Sequence, residues 1–227
     1  MRLFRLSAVA ALVTLSTFVV TAEEASAPRG SLGRLKVGNE RFVKNASAPV
    51  SLSAFTRQEL TKGQSPFAMV LSCADSRVPP EYVFNAGLGE LFVVRAAGEV
   101  VDKSVLATLE YGAEHLHIPL MVVMGHESCG AVKAVVDKAQ VAGPNLEYMV
   151  KAIRVGLTRT KAEQADIKTA ILATVEQSIN DALAGSEILR HAVDGGTLQV
   201  VGAYYELGSG RVTFSEPIGE PVAAPHK

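Results

Sequence analysis

Phe67-Ala-Met-Val-Leu-Ser-Cys-Ala-Asp-Ser-Arg77 is the stretch from which the rest of the chain can be read. Its first six residues are apolar or small and too few for an independent helix, so they predict a β-strand buried on both faces. The strand ends on Cys73. A carboxylate and a guanidinium follow at Asp75 and Arg77, so a soft metal ligand, a hydrogen-bond acceptor and an orienting cation share one short turn.

Two more runs are of the same kind: Leu91-Phe-Val-Val94 and Leu120-Met-Val-Val-Met124 predict a second and a third buried strand. Helical signals separate them. Pro79-Pro-Glu81 opens a short helix, and Lys103 to His117 places Val105, Leu106, Leu109, Ala113 and Leu116 on one helical face. Alternation of buried strands with helices predicts a three-layer α/β/α fold around a mainly parallel central sheet. Leu198–Tyr205 and Arg211–Phe214, joined through Gly208-Ser-Gly210, add a strand pair at its edge, the last strand running antiparallel.

The flanking segments complete the outline. Ser31 caps an amphipathic helix that runs to Asn45 with Leu32, Leu35, Phe42 and Val43 on one side, an N-terminal helical arm for the body or for a partner subunit. A short helix follows near Phe55–Leu60. After Gly143-Pro144 come two helices, the second over Glu163–Leu183 with Ile167, Ile171, Val175 and Ile179 at steps of four. Gly195-Gly196 stops a helical region that ends near Ala192. The last dozen residues, rich in Pro and Ala, read as a tail.

The third strand delivers Gly125-His-Glu-Ser-Cys129, an imidazole and a thiolate three residues apart. With Cys73 they offer Cys, His and Cys, a catalytic zinc set with one coordination position open. Cys129 also begins a helix, whose positive end favours its thiolate. Both stretches lie at the C-terminal ends of parallel strands, where α/β sheets form their binding crevices.

Composition limits the alternatives. Lysine and arginine number 22 against 23 aspartates and glutamates, with no basic stripe interleaved with aromatics, which speaks against a nucleic-acid partner. The N-terminus has the pattern of a signal peptide over residues 1–27: Arg2 and Arg5, an apolar run from Leu6 to Val20, and a small-residue cleavage site at Ala27 or at Ala22. An apolar run of about 15 residues is shorter than the roughly 20 that span a bilayer, so no stable membrane insertion is expected after cleavage. A periplasmic or secreted protein with one catalytic domain over residues 28–227 is the expectation. Two cysteines in an oxidising compartment are by default a disulfide, and an exported, disulfide-closed binding module is the alternative from another class. A disulfide has no use for a histidine three residues before one cysteine, for Asp-x-Arg after the other, or for the flanking glycines.

Taken together, Cys73-Ala-Asp-Ser-Arg-Val-Pro-Pro-Glu81, Gly125-His-Glu-Ser-Cys-Gly-Ala131, Glu90-Leu-Phe-Val-Val-Arg95, and Gly38-Asn39 with Arg41-Phe42 resemble the β-class carbonic anhydrases, of the plant-type, bacterial, exported kind. The resemblance implies one zinc per chain on Cys73, His126 and Cys129 with water or hydroxide as fourth ligand, and reversible hydration of carbon dioxide to bicarbonate. It implies an Asp75–Arg77 dyad beside the metal and an obligate homodimer or a larger assembly of dimers. Gln64, Phe92 and Tyr111 match the family's substrate contacts, and Gln64 speaks against the bicarbonate-inhibited subtype in which Asp takes the fourth zinc position. Arg95-Ala-Ala-Gly-Glu99 departs from the family's usual Arg-Asn-x-Ala/Gly-Asn run, and Ala97 is smaller than the valine common in the pocket. Relatives that hydrolyse carbonyl sulfide or carbon disulfide use the same metal set, so such a hydrolase is the alternative activity.

Overall fold

A computed structural model describes residues 30–219 apart from 49, 51 and 164. The expected leader over residues 1–27 and the end of the expected tail, residues 220–227, lie outside the described residues. The elements run α1 (Gly30–Val43), α2 (Ala54–Leu60), β1 (Ala68–Ser72), α3 (Pro80–Val83), β2 (Leu91–Arg95), a 3₁₀ turn (Ala97–Glu99), α4 (Lys103–Glu114), β3 (Leu120–His126), α5 (Gly130–Val136), α6 (Pro144–Thr160), α7 (Ile167–Gly185), α8 (Glu187–Asp194), β4 (Gln199–Tyr205) and β5 (Val212–Phe214).

The strands form one sheet in the order β2-β1-β3-β4-β5. The first four are parallel and β5 is antiparallel to β4. Side chains alternate across the sheet as the pleat requires. Ala68 and Val70, with Val122 and Met124, join Val83, Val132, Ile153 and Leu157 on one face. Met69 and Leu71, with Met121 and Val123, join Val105, Leu109, Ile179 and Leu189 on the other. The three-layer expectation is met.

Several boundaries differ from the sequence pattern, each for a local reason. Leu91–Val94 is not buried on both faces: β2 is the outer strand, and Leu91, Phe92 and Val93 are half-buried. The helix expected from Glu163 starts at Ile167, because Asp166 accepts hydrogen bonds from the Lys168 and Thr169 backbone N–H groups and caps it. Ser186 caps a new helix by accepting from Leu189, which separates α8 from α7. The helix expected to reach His117 stops at Glu114, and His117 is in the left-handed region at φ 50°. The third strand runs two residues beyond Met124, so His126 is its last member.

The N-terminal arm is anchored by one buried side chain. The Asn39 amide donates to the Val83 and Gly210 carbonyls and its oxygen accepts from the Val212 N–H, tying α1 to α3 and β5. Among the described residues no helix is long and apolar enough to cross a membrane.

Candidate metal centre

The centre is built where β1 and β3, adjacent and parallel, both end. Cys73 follows the last residue of β1, and the turn after it closes through a hydrogen bond from the Val78 N–H to the Asp75 carbonyl. His126 ends β3, and Cys129 is the residue from which α5 starts. Glu127 holds the intervening turn: its carboxylate accepts from the Leu207 N–H at 2.9 Å while its own N–H bonds the Tyr205 carbonyl. Glycine is required at 125, since a Cβ there would come within 2.7 Å of Val175 and 2.8 Å of Ile171 on α7.

Cys73, His126 and Cys129 each offer one ligand atom, and these atoms lie within 4.8 Å of one another. All three side chains are buried and both cysteines are free, so the disulfide expected of a closed binding module is not formed. The His126 Nδ1 is 2.9 Å from the Glu127 carbonyl oxygen, which leaves Nε2 as the atom with a lone pair to give. That Nε2 is buried without a hydrogen-bond partner. An orphaned imidazole nitrogen between two free thiols fits a tetrahedral, thiophilic cation.

One of the two sulfurs is biased toward binding. A hydrogen bond from Cys129 and the Gly98 N–H, 3.5 Å from the sulfur, outweigh burial and hold the Cys73 thiol at about 4. Cys129, donor in that pair and buried, is pushed up. A lowered Cys73 thiol suits metal binding, which needs its sulfur ligands deprotonated.

Asp75 and Arg77 meet as the sequence suggested. The Arg77 Nε and backbone N–H both donate to Oδ1 at 2.9 Å, and Nη2 donates to Oδ2 at 2.7 Å. This fork keeps the Asp75 carboxyl well below the usual carboxylate range. Its Oδ2 is 3.9 Å from the His126 Nε2, at the edge of the ligand cluster. Ala97 is on the same rim, exposed, beside Gly98.

The remaining residues expected to contact substrate are elsewhere. Gln64 is in the exposed loop that precedes β1, so the whole length of β1 separates it from Cys73. Phe92 is opposite Met69, the second residue of β1, and packs against Tyr111 at 6.2 Å between ring centroids. Tyr111 is 47% exposed near the end of α4, well away from the C-terminal rim.

Two residues at the centre carry no role in the sequence reading. Arg95, opposite Ser72 in the sheet, donates from Nε to the Cys73 carbonyl at 3.0 Å and from Nη2 to the Asp75 carbonyl, bracing the turn that carries both. An arginine ending the strand next to the cysteine-bearing one is the signal that finds it. Glu99 is fully buried at φ 52°, and neither of its carboxyl oxygens has a hydrogen-bond partner. Burial, and then the charge of Cys73, push that carboxyl well above the usual range.

Comparison with known proteins gives one answer. The sequence model of the family described as carbonic anhydrase matches residues 68–212. Carbonic anhydrase 2 of Mycobacterium tuberculosis is 38% identical over 197 residues, 82% of this chain and 91% of the relative. A carbonic anhydrase of Mycolicibacterium smegmatis is 36% identical over 206 residues, 86% of this chain and 97% of its own. Among solved structures, a Coccomyxa β-carbonic anhydrase in complex with acetazolamide aligns with a TM-score of 0.66 at 27% identity, covering 81% of this chain and 86% of that one. One of two tetrameric β-carbonic anhydrases from Sordaria macrospora aligns at 0.62 and 25%, covering 70% and 84%. With that breadth of match and a Cys/His/Cys cluster at the C-terminal rim of its sheet, the chain belongs to the β-class carbonic anhydrases.

Proposed function

We propose that the chain hydrates carbon dioxide to bicarbonate and a proton at a zinc held by Cys73, His126 and Cys129, with Asp75 and Arg77 as the working pair. The observation that carries this is the buried, unpartnered Nε2 of His126 between two free thiols. Zinc in such a set supplies the Lewis acidity that makes a water nucleophilic near neutral pH. Two anionic sulfurs damp that acidity more than neutral imidazoles do, so the protein's own groups matter more.

Asp75 Oδ2 accepts the hydrogen of the attacking oxygen and turns its lone pair toward the carbon of carbon dioxide. Arg77 takes both carboxylate oxygens of Asp75, which keeps the carboxylate ionised and fixes its Oδ2 at the edge of the cluster. The new carbon–oxygen bond gives bicarbonate, and the proton released in each cycle leaves to solvent. Zinc quantification with a stopped-flow hydration assay tests the reading. About one zinc per chain with turnover is expected; zinc without turnover overturns the activity assigned to these residues, and no zinc overturns the metal set.

The active form is a homodimer or an assembly of dimers. Phe55, Tyr82, Leu52 and Leu88 are 74%, 72%, 56% and 42% exposed around α2 and α3, and the last three line a groove of about 690 Å³ with Phe42, Val50 and Leu91. An exposed apolar flank of this kind suits a second copy. Gln64, Phe92 and Tyr111, remote from the cluster of their own chain, then reach substrate as contributions of that copy. Sedimentation of the purified chain at monomer mass would remove this arrangement.

Residues 1–27 direct export, on the strength of their charge and hydropathy pattern. Fractionation of cells expressing the full chain, with N-terminal sequencing, is expected to find periplasmic protein starting at Glu23 or Pro28; an intact Met1 in the cytoplasm would refute it.

A further inference from the structure

Glu127 and Ser128 separate the ligands His126 and Cys129, and Glu127 is bonded through its backbone and its side chain at once. Its N–H donates to the Tyr205 carbonyl at 2.8 Å, which carries the pairing of β3 with β4 one residue past His126. Its carboxylate goes to the chain just beyond β4: Oε2 accepts from the Leu207 N–H at 2.9 Å and from the Gly208 N–H at 3.5 Å. Two successive N–H groups thus meet one oxygen.

The turn that receives the carboxylate is braced on its own. The Gly210 N–H donates to the Glu206 carbonyl and the Glu206 N–H to the Arg211 carbonyl, both at 2.9 Å, while the Ser209 hydroxyl accepts from the Arg211 N–H at 3.2 Å. Asn39 of α1 holds the far end of the turn at Gly210 and Val212. On the other side, Ser128 is at φ 56°, a costly backbone for a non-glycine residue that persists only where its neighbours impose it. Glu127 therefore joins a fixed support to a strained turn.

What the clamp holds is the acceptor of a metal ligand. The Glu127 carbonyl oxygen is 2.9 Å from the His126 Nδ1, and a carbonyl can only accept, so Nδ1 carries the hydrogen and Nε2 the lone pair. Rotation of the peptide plane between residues 127 and 128 would swing that oxygen and turn the imidazole with it. The side chain that resists the rotation belongs to the same residue. We infer that Glu127 is a positioning residue of the metal centre: its carboxylate, seated on the Leu207 and Gly208 N–H groups, fixes the carbonyl that aims the His126 ring at the cation. This rests on the metal reading above.

The test measures zinc affinity against a chromogenic chelator for wild type, Glu127→Gln, Glu127→Leu and Glu127→Ala, and reads hydrogen exchange of the Leu207 amide by NMR with and without zinc. Glu127→Gln keeps an oxygen acceptor of the same reach, Glu127→Leu keeps the bulk without it, and Glu127→Ala has neither. The two acceptor-free variants are expected to lose roughly 10–100-fold in zinc affinity, and Glu127→Gln to retain most of it. Coupling is reciprocal, so zinc is expected to slow exchange of the wild-type Leu207 amide by a similar factor, relative to the Gln199 amide at the other end of β4, and to lose that effect in Glu127→Leu and Glu127→Ala. Acceptor-free variants with wild-type affinity overturn the inference, and so does Glu127→Gln behaving like Glu127→Leu, since the loss would then not follow the hydrogen bond. A wild-type Leu207 amide indifferent to bound zinc overturns it without any variant having to fold. A wild-type chain that takes up no zinc removes the metal reading and this inference with it.

Discussion

At the C-terminal rim of the sheet, Cys73, His126 and Cys129 are 5%, 0% and 0% exposed and their ligand atoms converge within 4.8 Å, while along the α2–α3 flank Phe55 and Tyr82 stand 74% and 72% in solvent. The first region is finished by one chain: each side chain has a strand end or helix start behind it. The second is not, since α2 buries none of its own residues. Under the proposed assembly the difference makes metal binding and substrate binding separable: one chain holds the cation, and a second copy supplies walls of the pocket. If so, mutations at the rim and on the flank should fail in different ways.

The largest effect is expected at the rim. His126→Ala removes the one neutral ligand and leaves two sulfurs; zinc content should fall to near zero and turnover to the uncatalysed rate, read by metal analysis and stopped-flow. Substantial turnover in this variant would show that the rim is not the reacting site. Asp75→Asn comes next, with turnover down roughly 10²–10⁴-fold and zinc content unchanged.

Asp75 also has a pH signature. Its folded-state carboxyl is held below the ordinary value by Arg77, so its contribution to stability is complete above the unfolded carboxylate range, around pH 4, and is lost only as the medium acidifies through the folded value. Thermal melts of wild type and Asp75→Asn should therefore differ most at neutral pH and converge in strong acid. A difference that grows on acidification has the wrong sign for this ion pair.

The flank is broken by charge. Tyr82→Asp combined with Leu88→Asp should give a chain that sediments as a monomer and keeps its zinc, yet turns over about tenfold more slowly or worse. A fully active monomer would erase the distinction between the two regions.

How far the sequence carried the reading follows from the same contrast. Cys73 and His126 could be found because they end buried apolar runs, and Cys129 because helical spacing resumes after it. Asp75 and Arg77 were legible from their spacing alone. β2 was misjudged, since Leu91–Val94 has the composition of a central strand and only the strand order makes it an edge. The position of Glu99 depends on a left-handed backbone and on packing from several separate elements, which no local pattern encodes. Gln64 resembled a pocket residue, but which end of the sheet it occupies is a property of topology.

Gln64 gives the smallest expected effect and the sharpest test of where the two regions meet. Loss of one hydrogen bond to substrate is worth about 1 kcal/mol, so Gln64→Ala should raise KM by roughly fivefold with zinc unchanged. The magnitude alone does not say whose Gln64 acts. Mixing Gln64→Ala with the metal-dead His126→Ala decides it, because a mixed dimer has one working metal, on the Gln64→Ala chain, facing the intact Gln64 of the other. If the residue acts across the interface, the activity of mixed dimers shows the wild-type KM. If it acts within its own chain, the raised KM persists, and the flank loses its part in substrate binding.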